Sequence, residues 1–166
     1  IHFPFSGNKI STVTTSLEFI QNTLSLVYSG ASRQSAINNW DIYKEFYNGN
    51  QKVVSLLNEI GHKAAVCAEA VSKQSWKSAL DASAEEWLLR KKLWPNVETN
   101  QTREIAETAK KHGALFSRVC GAGGGGVMAI FSPPEQKKTV ECELLRKGMH
   151  LLSSLPTANG LSVTLN

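Results

Sequence analysis

Few of the residue patterns that assign a function at once occur in this chain. Three cysteines in 166 residues, Cys67, Cys120 and Cys142, are an odd number without a C-x-x-C pair. That pattern supports neither a disulfide framework nor a zinc site, and a reducing cytoplasm is the expected home. Cys67 falls in an apolar helical stripe and reads as a small core residue. Cys120 abuts a glycine run and reads as structural, because thiol reactivity demands a specific electropositive setting. His2, His62, His112 and His150 show no ligand spacing, so no metal site is expected. No apolar run is long enough to span a bilayer, and the opening IHFPFSGN resembles no secretion signal. Neither sign of charge dominates: 18 basic and 14 acidic residues leave a net charge of +4. Arg90, Lys91 and Lys92 cluster beside Trp87 and Trp94, but a nucleic-acid surface extends along a face or accompanies a motif. The expected partners therefore include neither nucleic acid nor membrane. The remaining basic residues alternate with acids as on solvated helix faces, and the mild positive balance suits anionic substrates.

What the chain does have is glycine, concentrated in one place. Residues 115–131 read LFSRVCGAGGGGVMAIF, two β-prone apolar runs separated by Gly121, Ala122, Gly123, Gly124, Gly125 and Gly126. Each glycine costs about 0.5–1 kcal/mol relative to alanine in regular structure, so such a cluster calls for a reason. The string satisfies G-x-G-x-x-G literally, but a dinucleotide fingerprint opens a helix, whereas Val127, Met128, Ala129, Ile130 and Phe131 read as a strand. A Walker A loop ends in Lys and then Ser or Thr, and Gly126 is followed by Val127 and Met128. Two readings remain: a loop between adjacent strands whose bare N–H groups form an anion nest, or a long hairpin connection.

At this point the sequence resembles a known family. RVCGAGGGG, residues 118–126, resembles the third motif of the GHMP kinases (galactokinase, homoserine kinase, mevalonate kinase, phosphomevalonate kinase): Lys, an apolar residue, Ser or Thr, then GAGxGG. Arg118 stands where Lys is usual and Cys120 where Ser or Thr is usual. LSLVYSGASR, residues 24–33, resembles the strand and Thr-Gly-x-x-Arg segment of the sugar-kinase branch, especially the D-glycero-D-manno-heptose 7-phosphate kinases. EWLLRKKLWPNVETN (86–100) and AKKHGALFSRVCGAGGGG (109–126) are similar to that branch in order and spacing. The family's Pro-x-x-x-Gly-Leu-Gly-Ser-Ser-Ala phosphate loop, which opens a helix facing the phosphates, has no counterpart here. The resemblance thus implies the carboxy-terminal half of a longer kinase, residues 1–166 being one domain.

Local patterns agree with an α+β fold. Residues 1–17 read as a short hairpin turning at Gly7 and Asn8, and residues 24–28 as a buried strand. Ile37, Trp40, Tyr43 or Ile42, and Phe46 or Tyr47 form a helical stripe that closes at Asn48, Gly49 and Asn50. Val53, Val54, Leu57, Ile60, Ala64, Cys67, Ala68 and Val71 recur at three and four, with Gly61 marking close packing or a kink. Leu80, Ala84, Trp87 and Leu88 stripe a helix over 76–93 that ends before Pro95. A further helix spans 101–112, with Gly113 past its end. After the glycine hairpin, Ser132, Pro133, Pro134 and Glu135 read as a capping box for a helix running to Lys147, and residues 161–165 as the last strand. This order predicts a ferredoxin-like antiparallel sheet with helices inserted into the first crossover, which is also the fold that the resemblance implies for a GHMP carboxy-terminal domain.

The resemblance further implies ATP and Mg2+ held by an amino-terminal kinase domain as partner, and a small-molecule acceptor, most simply a sugar or sugar phosphate. It places residues 121–126 in an interdomain cleft, against the phosphate loop and at the acceptor pocket. Arg33 and Arg118 are candidates for an anionic group of the substrate, since a guanidinium binds phosphate in a fork; a surface ion pair is the alternative for each. No catalytic residue is expected in this chain, and alone it should be inactive. A mevalonate-type alcohol kinase and a non-catalytic binding module remain open.

Overall fold

The computed structural model describes residues 13, 15–30 and 38–159. Helix α1 (Leu17–Thr23) begins at Ser16, whose Oγ accepts from the Phe19 N–H at 3.1 Å. The expected hairpin over 1–17 is therefore wrong at its end, because a capping hydroxyl starts a helix where alternation suggested a strand. Its other residues, apart from 13, 15 and 16, lie outside the described ones. Strand β1 (Leu24–Tyr28) follows without a linker, with the bounds predicted. It is not buried on both faces: Ser25 and Val27 point inward while Leu24, Leu26 and Tyr28 stay partly open.

Three helices then intervene. α2 (Asn38–Tyr47) is short, and α3 (Gln51–Ser72) is capped by the Asn50 side chain, which accepts from the N–H groups of Lys52 and Val53. α4 (Trp76–Leu93) pairs with α3 through apolar contacts of Leu56, Ile60, Leu89 and Leu93. It ends where Pro95 forces Trp94 into an extended conformation (φ −142°, ψ 93°). A 3-10 turn (Pro95–Val97) leads to α5 (Asn100–Lys111), whose Thr99 and Thr102 side chains cap each other's backbone reciprocally.

Strands β2 (Phe116–Val119) and β3 (Val127–Phe131), helix α6 (Pro134–Arg146) and strand β4 (His150–Leu152) complete the order. The sheet runs β2-β3-β1-β4 with every neighbouring pair antiparallel. This is the ferredoxin-like α+β arrangement, with α2, α3 and α4 inserted ahead of α5. Register pairs Ser25 with Ile130 and Val27 with Met128, so all four turn to one face, where Ile105 and Ala109 of α5 and Val140 and Leu144 of α6 cover them. Ser25 Oγ donates to Glu141 Oε1 at 2.7 Å, fixing α6 over β1.

Several local expectations are corrected. The capping box at Ser132 is absent: Pro133 is the N-cap, with φ −55° and ψ 146°, because Pro134 in the first turn disfavours a helical residue before it. Ser132 instead lies just past β3, its N–H bonded to Thr23 O at 3.0 Å, and its buried hydroxyl has no partner among the described residues. On α4, Leu88 is 55% exposed while Ala79, Ala82 and Leu89 are buried, since this helix packs on α3 as well as on the sheet and a single stripe cannot describe it. The α2 aromatics are exposed rather than buried, Trp40 at 62% and Tyr47 at 83%; Ile42 is half-buried, and Ile37 lies outside the described residues. At Gly61 no atom lies within 4 Å of the position a Cβ would take, which removes close packing as its reason, and α3 runs unbroken through it. The strand expected at 161–165 lies outside the described residues. β4, only three residues long, was not foreseen; its identity depends on pairing Leu151 with Val27 and His150 with Tyr28.

Candidate functional site

The glycine loop joins β2 to β3, and its stem is closed by the Cys120 N–H donating to Val127 O at 2.8 Å. Within this chain the loop is held against a neighbouring segment. Gly123 and Gly125 are buried, and the Gly124 N–H donates to Val97 O at 2.9 Å. Gly123 has φ +85°, and a Cβ there would overlap Val97 Cγ2 and stand 2.9 Å from Trp94 Cζ3. Gly124 has φ +75° but more room, with Trp94 Cη2 at 3.7 Å. Backbone approach is thus what the glycines permit, as the composition suggested. The surface approached here is the Trp94 ring and the 3-10 turn of the same chain.

The far end of the loop meets β1. Ser29 N–H donates to Gly126 O at 2.8 Å, because β1 and β3 run antiparallel and Tyr28 pairs with Val127. The two segments most distinctive in sequence, the end of β1 and the glycine loop, therefore occupy one end of the sheet. A cavity of about 240 Å³ opens there, bordered by Ser29, Gly30, Gln101, Lys147 and His150. Arg33 lies outside the described residues.

Arg118, on β2, does not reach into open solvent. Its Nη1 donates to Glu86 Oε2 at 2.9 Å, and its guanidinium carbon lies 5.3 Å from the centroid of the Trp87 ring. Glu86 is only 6% exposed and also accepts from Arg90 Nε one helical turn along α4. A buried carboxylate held by two guanidiniums satisfies its oxygens as burial requires. Arg90 in turn borders a cavity of about 260 Å³ whose walls include Ile42, Leu93, Trp94 and Val97, with Gly121 and Ala122 of the loop at its rim. Glu86, Arg90, Trp94 and Val97 were not singled out as site residues. The Glu86–Arg90 spacing of four was a visible signal; the link from Glu86 to Arg118 was not.

Among the described residues, no group of three or more His, Cys, Asp or Glu side chains could hold a metal ion. No helix among them is long and apolar enough to cross a membrane.

A ferredoxin-like sheet carrying a glycine loop between its edge strand and the next defines the class of domain. Residues 67–150 match the family described as GHMP kinases C terminal, and the chain belongs to that family. Its fold is similar to that of several solved proteins, kinases among them. Mevalonate kinase from L. major, solved with R-mevalonate, matches with TM-score 0.66 and 20% identity over 75% of this chain and 38% of that one. The Lin0012 protein from Listeria innocua matches with TM-score 0.70 and 18% identity over 78% and 38%. The phosphomevalonate kinase of Streptococcus pneumoniae matches with TM-score 0.60 and 16% identity over the same shares, 78% and 38%. The chain spans less than two-fifths of the length of these solved proteins. No curated protein matches it in sequence.

Proposed function

We propose that this chain is the carboxy-terminal domain of an ATP-dependent small-molecule kinase whose acceptor is a sugar or sugar phosphate of the heptose-phosphate or galactose type. The observation that carries the reading is the meeting of the β1 end with the glycine loop, through Ser29 N–H and Gly126 O, at one end of the sheet. Phosphoryl transfer asks a protein mainly for positioning and charge stabilisation, and this end offers bare glycines and nearby guanidiniums. In this reading ATP and its magnesium belong to an amino-terminal domain, and this domain shapes the acceptor pocket through residues 121–126 and Arg33.

A mevalonate-type alcohol kinase is the second reading, favoured by the fold likeness to the L. major and S. pneumoniae enzymes. A panel of heptose 7-phosphate, galactose, fucose and mevalonate, assayed with the complete protein and its Arg33→Ala variant, separates the two. We expect turnover of a sugar phosphate, with KM for that acceptor raised at least tenfold by the variant, a loss of about 1.4 kcal/mol of binding. Turnover of mevalonate alone would overturn the sugar reading. Equal loss on every acceptor would make Arg33 a structural residue.

A further inference from the structure

The basic cluster at Arg90, Lys91 and Lys92 has a structural meaning that a solvated face does not explain. Lys91 is matched by Glu98, Nζ to Oε1 at 3.5 Å. Glu86, in contrast, is one carboxylate serving two guanidiniums, Arg90 through Nε and Arg118 through Nη1. The trio carries one positive charge in excess, and among the described residues no second carboxylate is paired with either arginine. The Arg118 side chain is 29% exposed and lies against Trp87, whereas that of Arg90 is 45% exposed. The excess charge is therefore most accessible at Arg90, on the cavity bordered by Gly121 and Ala122. Glu86 engages Arg90 at Nε, which leaves the terminal amino groups of the guanidinium available for a fork-like contact.

We propose that this cavity binds a phosphomonoester, with Arg90 as the cation that grips the phosphoryl group and Glu86 as the positioning residue that aims it. The proposal rests on the kinase reading and deepens it: the group held is the phosphate already present on the acceptor. Its volume of about 260 Å³ lies below the roughly 300–1,000 Å³ of pockets that enclose drug-sized ligands, which suits a phosphoryl group on a short carbon chain rather than a nucleotide. Leu93, Trp94 and Val97 give the cavity an apolar wall beside the guanidinium, whose 45% exposure leaves it open to an incoming anion. Arg118 shares Glu86 and helps to hold it in place.

The test is titration of the 166-residue chain with inorganic phosphate at constant ionic strength, followed by amide and Arg Nε resonances, with chloride as the reference anion. Saturable shifts are expected at Gly121, Ala122 and Arg90 Nε, with affinity lowered at least tenfold in Arg90→Gln, partly kept in Arg90→Lys, and unchanged in Arg103→Gln, which lies outside this cavity. Glu86→Gln should weaken binding while Arg90 remains present, marking its role as orientation. Shifts that survive Arg90→Gln, that chloride reproduces, or that never saturate would overturn the proposal. Should Arg90→Gln fail to fold, the Arg90→Lys affinity and the native Arg90 Nε shift decide the matter. Phosphate binding without kinase activity in the complete protein would sink the kinase reading alone; sugar phosphorylation without these shifts would sink the pocket alone.

Discussion

The two sides of helix α4 are built to different standards. Toward the sheet, Val27, Val119, Ile130, Val140 and Leu144 are wholly excluded from water, packed by α5, α6 and the antiparallel register. Away from it, Leu56, Ile60 and Leu89 form a small cluster that retains some exposure, and beyond them α2 carries Trp40, Tyr43 and Tyr47 in solvent. Apolar burial stabilises by about 25 cal/mol per Å², so the sheet layer supplies most of the fold's stability and the helical layer adds less. The glycine loop and Arg90 sit between the two, anchored by the rigid side and opening toward the looser one. Sites placed on a rigid framework hold their geometry better than sites on loops alone.

The loop itself should give the largest effect. Gly123→Val adds overpacking against Val97 and Trp94 to a positive-φ penalty, together about 4 kcal/mol. Gly124→Ala, with φ +75° but space around it, should cost about 1–2 kcal/mol. Urea unfolding of both variants measures the difference, and equal midpoints would mean that the loop does not pack on the 3-10 turn. Next comes the direct comparison of layers: Leu144→Ala should cost about 3–5 kcal/mol and Ile60→Ala about 2 kcal/mol, read from the same unfolding curves. A reversal of that order would show that the outer helices, not the sheet, hold the domain together. The smallest effect belongs to α2, where Tyr47→Ser, at an 83% exposed position, should change stability by less than about 0.5 kcal/mol. A larger loss would mean that α2 is covered by something in solution.

Legibility in the sequence follows the range of the interactions. β1, α4 and β3 have the bounds expected from periodicity and breakers, because a proline, a glycine run or an alternation acts within a few residues. Ser16, Ser132 and the Thr99–Thr102 pair show the limit of such signals. Each of these hydroxyl residues offers itself as a cap, and only the surrounding backbone selects which one serves. Glu86 looked like one more acid on a helix; its burial comes from Arg118, 32 positions away.

The sequence alone was sufficient to determine the α+β class, the glycine loop between two strands and the family, since these rest on local periodicity and a specific motif. Tertiary structure alone decided that the loop leans on Trp94 and Val97, that β4 exists, that α4 buries two faces, and that one buried carboxylate gathers Arg90 and Arg118 beside Gly121 and Ala122. The physical reason is that these features are contacts between segments far apart in the chain. Their energies appear only once the sheet has set the distances between those segments, and no window of neighbouring residues contains both partners.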